Sequence, residues 1–170
     1  MASQVVKVED FNVGRTAIPR TSWQKNDLQS YLDDHEEGTL IGLLGYDLYL
    51  LFLADLDASG VPQSARFKSI YDKFVFVNDC ENCRSRGMKK MLQGIIYFHY
   101  ERDQPIKPTT TGPKRKKGEN SENVDSTSFD ITTRYNNSVD DYKCIQRKIC
   151  ENIEDYPEYK GIDLEYLLNL

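Results

Sequence analysis

Long apolar runs are scarce in this chain of 170 residues. The longest, Leu48 to Ala54, is closed by Asp47 and Asp55, and it falls far short of the roughly 20 apolar residues that a membrane-crossing helix needs. The opening MASQVVKVED lacks an apolar stretch of signal-peptide length, so no membrane partner is expected. Catalytic motifs are missing too. There is no glycine-rich phosphate loop, no nucleophile elbow and no His-Glu metal helix, and the two histidines, His35 and His99, are isolated. The expectation is a non-enzyme with no cofactor and no metal. Cysteine is sparse, at four residues, and without a secretory leader Cys80, Cys83, Cys144 and Cys150 read as reduced thiols in a cytosolic or nuclear protein.

What is present suffices for a core. A hydrophobic content of 39% and an aromatic content of 11% are ordinary for a globular domain, and a chain of this length buries roughly two-thirds of its unfolded surface. Its net charge of −5 is unevenly spread. Lys107, Lys114, Arg115, Lys116 and Lys117 form a block without acids, and residues 61–106 carry a further excess of cations, whereas the two ends are acidic.

The pattern of elements predicts an N-terminal arm over 1–20, with a short extended run at Val5 to Phe11, and a single α+β domain over 21–170. Thr21 and Gln24 have capping-box spacing, and Leu28, Tyr31, Leu32 and His35 then share a helical face up to Gly38. Thr39 to Leu44 and Leu48 to Ala54 read as a hairpin around Gly45-Tyr46-Asp47, and Lys73 to Val77 as a strand. Arg84 to Leu92 suggests a short basic helix. Alternation in Gly94 to Arg102, and apolar residues in Phe129 to Tyr135, suggest two more strands, separated by a disordered basic loop over 105–128 that is rich in Pro, Thr, Lys and Ser. Tyr142, Ile145, Ile149 and Ile153 then recur at helical spacing. The predicted fold is a small, mostly antiparallel sheet or a five-stranded barrel with helices at both ends, and its element order resembles that of oligonucleotide-binding barrels.

Five motifs carry candidate chemistry. Lys114, Arg115, Lys116 and Lys117, after Pro113, form the kind of exposed cationic run that import receptors read, which predicts nuclear localisation. Leu164, Leu167, Leu168 and Leu170 in the apolar tail have the spacing of a short helix that lays leucines into a partner's groove. Arg84, Arg86, Lys89 and Lys90, with Tyr97 for stacking, offer the charge and ring combination that holds single-stranded nucleic acid, although the overall acidity opposes phosphate binding. Cys80-Glu81-Asn82-Cys83 has the spacing of half a zinc site, but Cys144 and Cys150 are wrongly spaced to complete it. Asp55 to Gly60 matches the start of a calcium loop, but Arg66 stands where the bidentate Glu belongs, which leaves an acidic turn.

The sequence therefore points to a non-catalytic protein-interaction subunit of a nuclear, chromatin- or chromosome-associated complex, with protein partners. The alternative is a barrel-type module that binds single-stranded nucleic acid.

Overall fold

The computed structural model describes residues 5–14, 16–18, 22–77, 82–103, 107–109, 112–114 and 126–160. Five helices dominate: α1 (Ser22–Leu44), α2 (Tyr46–Asp55), α3 (Ala65–Tyr71), α4 (Met88–Asp103) and α5 (Ser126–Glu151). Two short antiparallel hairpins accompany them, β1 (Phe74–Val77) with β2 (Asn82–Ser85) and β3 (Lys107–Thr109) with β4 (Gly112–Lys114). The class is α+β, but no five-stranded barrel forms among the described residues.

The helix expected to stop at Gly38 runs on to Leu44. Leu28, Leu32, Leu40, Leu43 and Leu44 extend one buried stripe at three- and four-residue spacing, and that continuous burial outweighs the intrinsic cost of a glycine in the helix. The break comes at Gly45 instead, whose φ of 76° takes the chain out of the helical region. The axis there turns by 114° into α2. The hairpin expected over 39–54 is thus a bent helix pair, because a short apolar run does not by itself distinguish a strand from a buried helix.

A second correction falls on residues 94–102, which belong to α4. Every position from Met91 to Phe98 is buried, since α1, α3 and α5 all pack on this helix. Its strand-like alternation arose because residues of both parities face neighbours. Residues 129–135 are likewise helical, and α5 buries Tyr135, Val139, Tyr142, Ile145 and Ile149 along one side. Lys73 to Val77 is extended as expected, with Phe74 opposite Ser85 and Val77 opposite Asn82. Arg84, placed by sequence on a helix, lies on β2; the helix waits until Gly87, whose φ of 98° separates the two elements.

The arm is tied to the core. Val5, Val6, Phe11 and Ile18 are buried, and Val5 to Phe11 ends in a 3₁₀ turn (Val8–Phe11) rather than a strand. Glu36, on the buried side of α1, accepts the backbone N–H groups of Val5 and Val6 at 2.9 and 3.0 Å. Within the stretch expected to lack regular structure, Lys107 pairs with Lys114 and Thr109 with Gly112, and α5 opens at Ser126. A two-stranded ribbon has outer edges, where Pro108 and Pro113 need no N–H to give.

The cysteines depart from expectation as well. Cys83 on β2 and Cys144 on α5 form a disulfide, with Cα atoms 5.7 Å apart, a separation that the bond geometry allows. The reading of four reduced thiols is corrected for this pair, and a four-thiolate zinc site loses two ligands. Cys150 is free and exposed; Cys80 lies outside the described residues. The bridge fastens a two-stranded hairpin, which is marginal by itself, to the longest helix.

Candidate functional site

Where α4 and α5 meet, a cleft of about 260 Å³ opens beside the N-terminal segment. It exists because the two helices touch closely at one point. A Cβ on Gly94 would overlap Ser138 Oγ and lie 3.2 Å from Ser138 Cβ, so only glycine lets α5 approach here. Above that contact, Arg86 just before α4, Lys90 on α4 and Arg134 on α5 line the cleft.

Each cation is held differently. Arg86 donates its backbone N–H and its Nε to Asp141 at 2.8 and 2.7 Å, and its Nη2 to Ser138 Oγ at 3.2 Å. Burial pushes the Asp141 carboxyl above the usual range, and the hydrogen bonds and charge of Arg86 pull against that rise. Such a pair fixes the guanidinium before any ligand arrives. Arg134 lies over the Tyr97 ring, 5.4 Å from its centroid, and pairs with Asp130 one turn away at 3.3 Å. Lys90 is exposed and has no ion-pair partner among the described residues.

The neutral lining adds donors and one open acceptor. Gln93 is 3% exposed and donates through Nε2 to the carbonyl of Asp10 at 3.1 Å, while its Oε1 meets no donor. A buried amide oxygen left in that state costs about 1–3 kcal/mol. Asn137 and Thr16 complete the wall. With three cationic side chains and no positioned nucleophile–base pair, the cleft is suited to holding an anion.

The residues expected from sequence are only partly gathered here. Arg86 and Lys90 line the cleft; Arg84 is exposed on β2, and Lys89 pairs with Asp10 at 2.8 Å. Tyr97 is 9% exposed and lies under Arg134, so its ring face is not offered to a base. Lys114 has its backbone on β4, while Arg115, Lys116, Lys117, Leu164, Leu167, Leu168 and Leu170 lie outside the described residues. Sequence reasoning missed Gln93, Gly94 and Arg134. The signal was the Asp130/Arg134 spacing, which becomes a helical ion pair only once 126–151 is read as helix.

The acidic turn after α2 holds its carboxylates for its own backbone. Asp55 accepts from the N–H groups of Gln63 and Ser64 at 2.9 Å, and Asp57 from those of Ser59 and Val61 at 2.8 and 3.0 Å. No group of three or more His, Cys, Asp or Glu among the described residues is arranged to hold a metal ion.

A second surface stands out on α2. Leu48, Tyr49 and Phe52 are buried, yet Tyr46, Leu50 and Leu51 are 61%, 47% and 42% exposed. Clustered exposure of large apolar side chains marks interaction sites, whereas scattered exposure does not. No single helix among the described residues is long and apolar enough to cross a membrane. Comparison with protein families, with curated proteins and with solved structures finds no match to this chain.

Proposed function

We propose that this chain is a non-catalytic protein-interaction subunit of a nuclear, chromatin- or chromosome-associated assembly, docking through α2. The observation that carries the reading is the outward row of Tyr46, Leu50 and Leu51 on a helix whose other side is sealed into the core. A helix so placed can bury its apolar side chains in a partner's groove without unfolding anything. Asp47 is paired with Lys160 and Asp55 with its own turn, so the apolar row alone defines the fit, and the fitting partner is a protein groove with an apolar floor.

The nuclear half of the reading rests on Lys114 to Lys117 in the sequence. Disulfides seldom persist in that compartment, so the reading also requires the helical core to stand with Cys83 and Cys144 reduced. The single-strand alternative keeps Arg84, Arg86 and Lys90 but finds no barrel among the described residues and no open stacking ring at Tyr97.

The test is affinity capture of the tagged full chain from its native cells, with nuclease, comparing wild type with the Leu50→Asp/Leu51→Asp variant. A fixed set of proteins should survive nuclease and be lost from the variant, while its circular dichroism stays unchanged. Partners that vanish with nuclease would move the nucleic-acid reading ahead, and a protein set indifferent to the α2 change would remove α2 as the dock. Nuclear residence should be lost when Lys114 to Lys117 are changed to Ala.

A further inference from the structure

Three observations at the α4–α5 cleft converge, and none is used by the docking surface on α2. Arg86, Lys90 and Arg134 bring cationic donors from three backbone positions to one concavity. The Arg86 guanidinium is immobilised by Asp141 and Ser138, yet its Nη1 has no partner among the described residues. Gln93, almost wholly buried in the wall, keeps an amide oxygen with no donor.

We propose that this cleft binds a phosphate monoester carried on a small hydroxylated molecule. A carboxylate presents two oxygens in one plane, whereas a phosphate monoester presents three, which matches cations arriving from two helices and a preceding loop. Asn137 and Thr16 add neutral polar groups to the wall. The orphan Gln93 Oε1 is covered as it stands, and a turn of the Gln93 side chain brings it to the cleft, where it needs a donor that the anion lacks and a neighbouring sugar-type hydroxyl supplies. The volume of about 260 Å³ lies just below the range of ligand pockets, which run from roughly 300 to 1,000 Å³. That suits one sugar phosphate better than a dinucleotide or a polymer. Because Arg86 is already fixed, its own side-chain ordering does not oppose binding.

The experiment titrates ribose 5-phosphate, inorganic phosphate and ribose into the full chain, by calorimetry and by amide chemical shifts. Ribose 5-phosphate should bind and shift the amides of Arg86, Gln93 and Gly94, inorganic phosphate should bind more weakly at the same place, and ribose should not bind. Added salt should weaken the binding. Lys90→Gln, on an exposed side chain, should weaken ribose 5-phosphate about threefold to fivefold, the scale of one exposed charge pair. Gln93→Leu should bring ribose 5-phosphate down to the level of inorganic phosphate and leave the latter unchanged. Absence of saturable binding at millimolar concentration, equal binding of ribose and its phosphate, or indifference to Lys90→Gln would each overturn the assignment.

Discussion

Helix α2 holds the longest apolar run in the chain, Leu48 to Ala54, and buries one side of it. Helix α4 is interrupted by Gln93, Gly94 and His99, and yet every residue from Met91 to Phe98 is inside. The less apolar helix is the more buried one. What differs is the number of neighbours: α4 is wrapped by α1, α3 and α5, whereas α2 leans mainly on α1. Composition sets what a helix can bury, and packing decides how much of it is covered. The polar groups that α4 carries inward become fixed features of the interior, and the apolar groups that α2 turns outward become available surface.

The sharpest test of that contrast removes one aliphatic side chain from each helix. Ile96→Ala in α4 empties a fully buried site and should cost about 2–5 kcal/mol. Leu50→Ala in α2 removes a half-exposed side chain and should stay within about 0.5 kcal/mol. Urea unfolding followed by circular dichroism measures both. A large loss from Leu50→Ala would mean that the outer side of α2 is structural and would break the comparison.

Gly94 provides a second, smaller effect with its own control. Gly94→Ala drives a methyl group into Ser138 Oγ, and overpacking of this kind costs about 1–3 kcal/mol. Because one named atom causes the clash, Ser138→Ala in the same chain should restore part of the loss, although Ser138 Cβ at 3.2 Å still crowds the site. Because Ser138→Ala by itself loses the bonds to Arg86 and to the Arg134 carbonyl, its own cost is subtracted first, and zero coupling between the two changes would place the strain elsewhere. Denaturation midpoints of the two single variants and the double variant decide it.

These residues also explain what could be read from the sequence and what could not. The N-terminal helix, the strand at Phe74 to Val77 and the C-terminal helix were legible because each has one-sided periodicity or β-branched and aromatic content with nearby turn signals. Residues 39–54 were misread because a short apolar run does not by itself distinguish a strand from a helix, and residues 94–102 because burial on several sides erases periodicity: Tyr97 and Phe98 both meet α5, and His99 and Tyr100 both meet α1, so both parities looked like strand faces. The α4–α5 cleft was half visible in Arg86 and Lys90. Gln93 follows Lys90 at three-residue spacing on α4 and becomes legible once 88–103 is read as helix, whereas Arg134 joins them only through a helix pairing of high sequence separation, which no local pattern encodes. The Cys83–Cys144 bridge was hidden for the same reason, since its 61-residue separation spans three elements whose types had first to be right.

The smallest expected effect is on pH dependence, at the end of α4 that meets α1. The rings of His35 and His99 are stacked 4.1 Å apart and nearly parallel, at 9°, and His99 Nδ1 is buried without a partner. Burial, followed by the facing His35 and Arg102, pushes His99 down to about 4 against the opposing pull of Asp103, while burial also lowers His35 despite Asp34. Tyr31, the other group at this junction, is engaged with Asp103 at 3.2 Å. A histidine whose folded pKa lies below its unfolded value of about 6.5 binds protons more readily when unfolded. Stability is therefore complete above about pH 6.5 and declines as pH falls toward 4. Asp141 and Glu101, whose carboxyls burial raises, act with the opposite sign, so wild type alone does not isolate the pair. The measurement is the difference between wild type and His99→Phe, which keeps a ring against His35 and leaves the carboxylates in place. Between pH 7 and pH 5 the wild-type Tm should drop by roughly 3 °C more than that of the variant. Parallel curves would show that the enclosure around α4 admits enough water at this end to charge His99 freely, and α4 would then be open there as α2 is along its outer side.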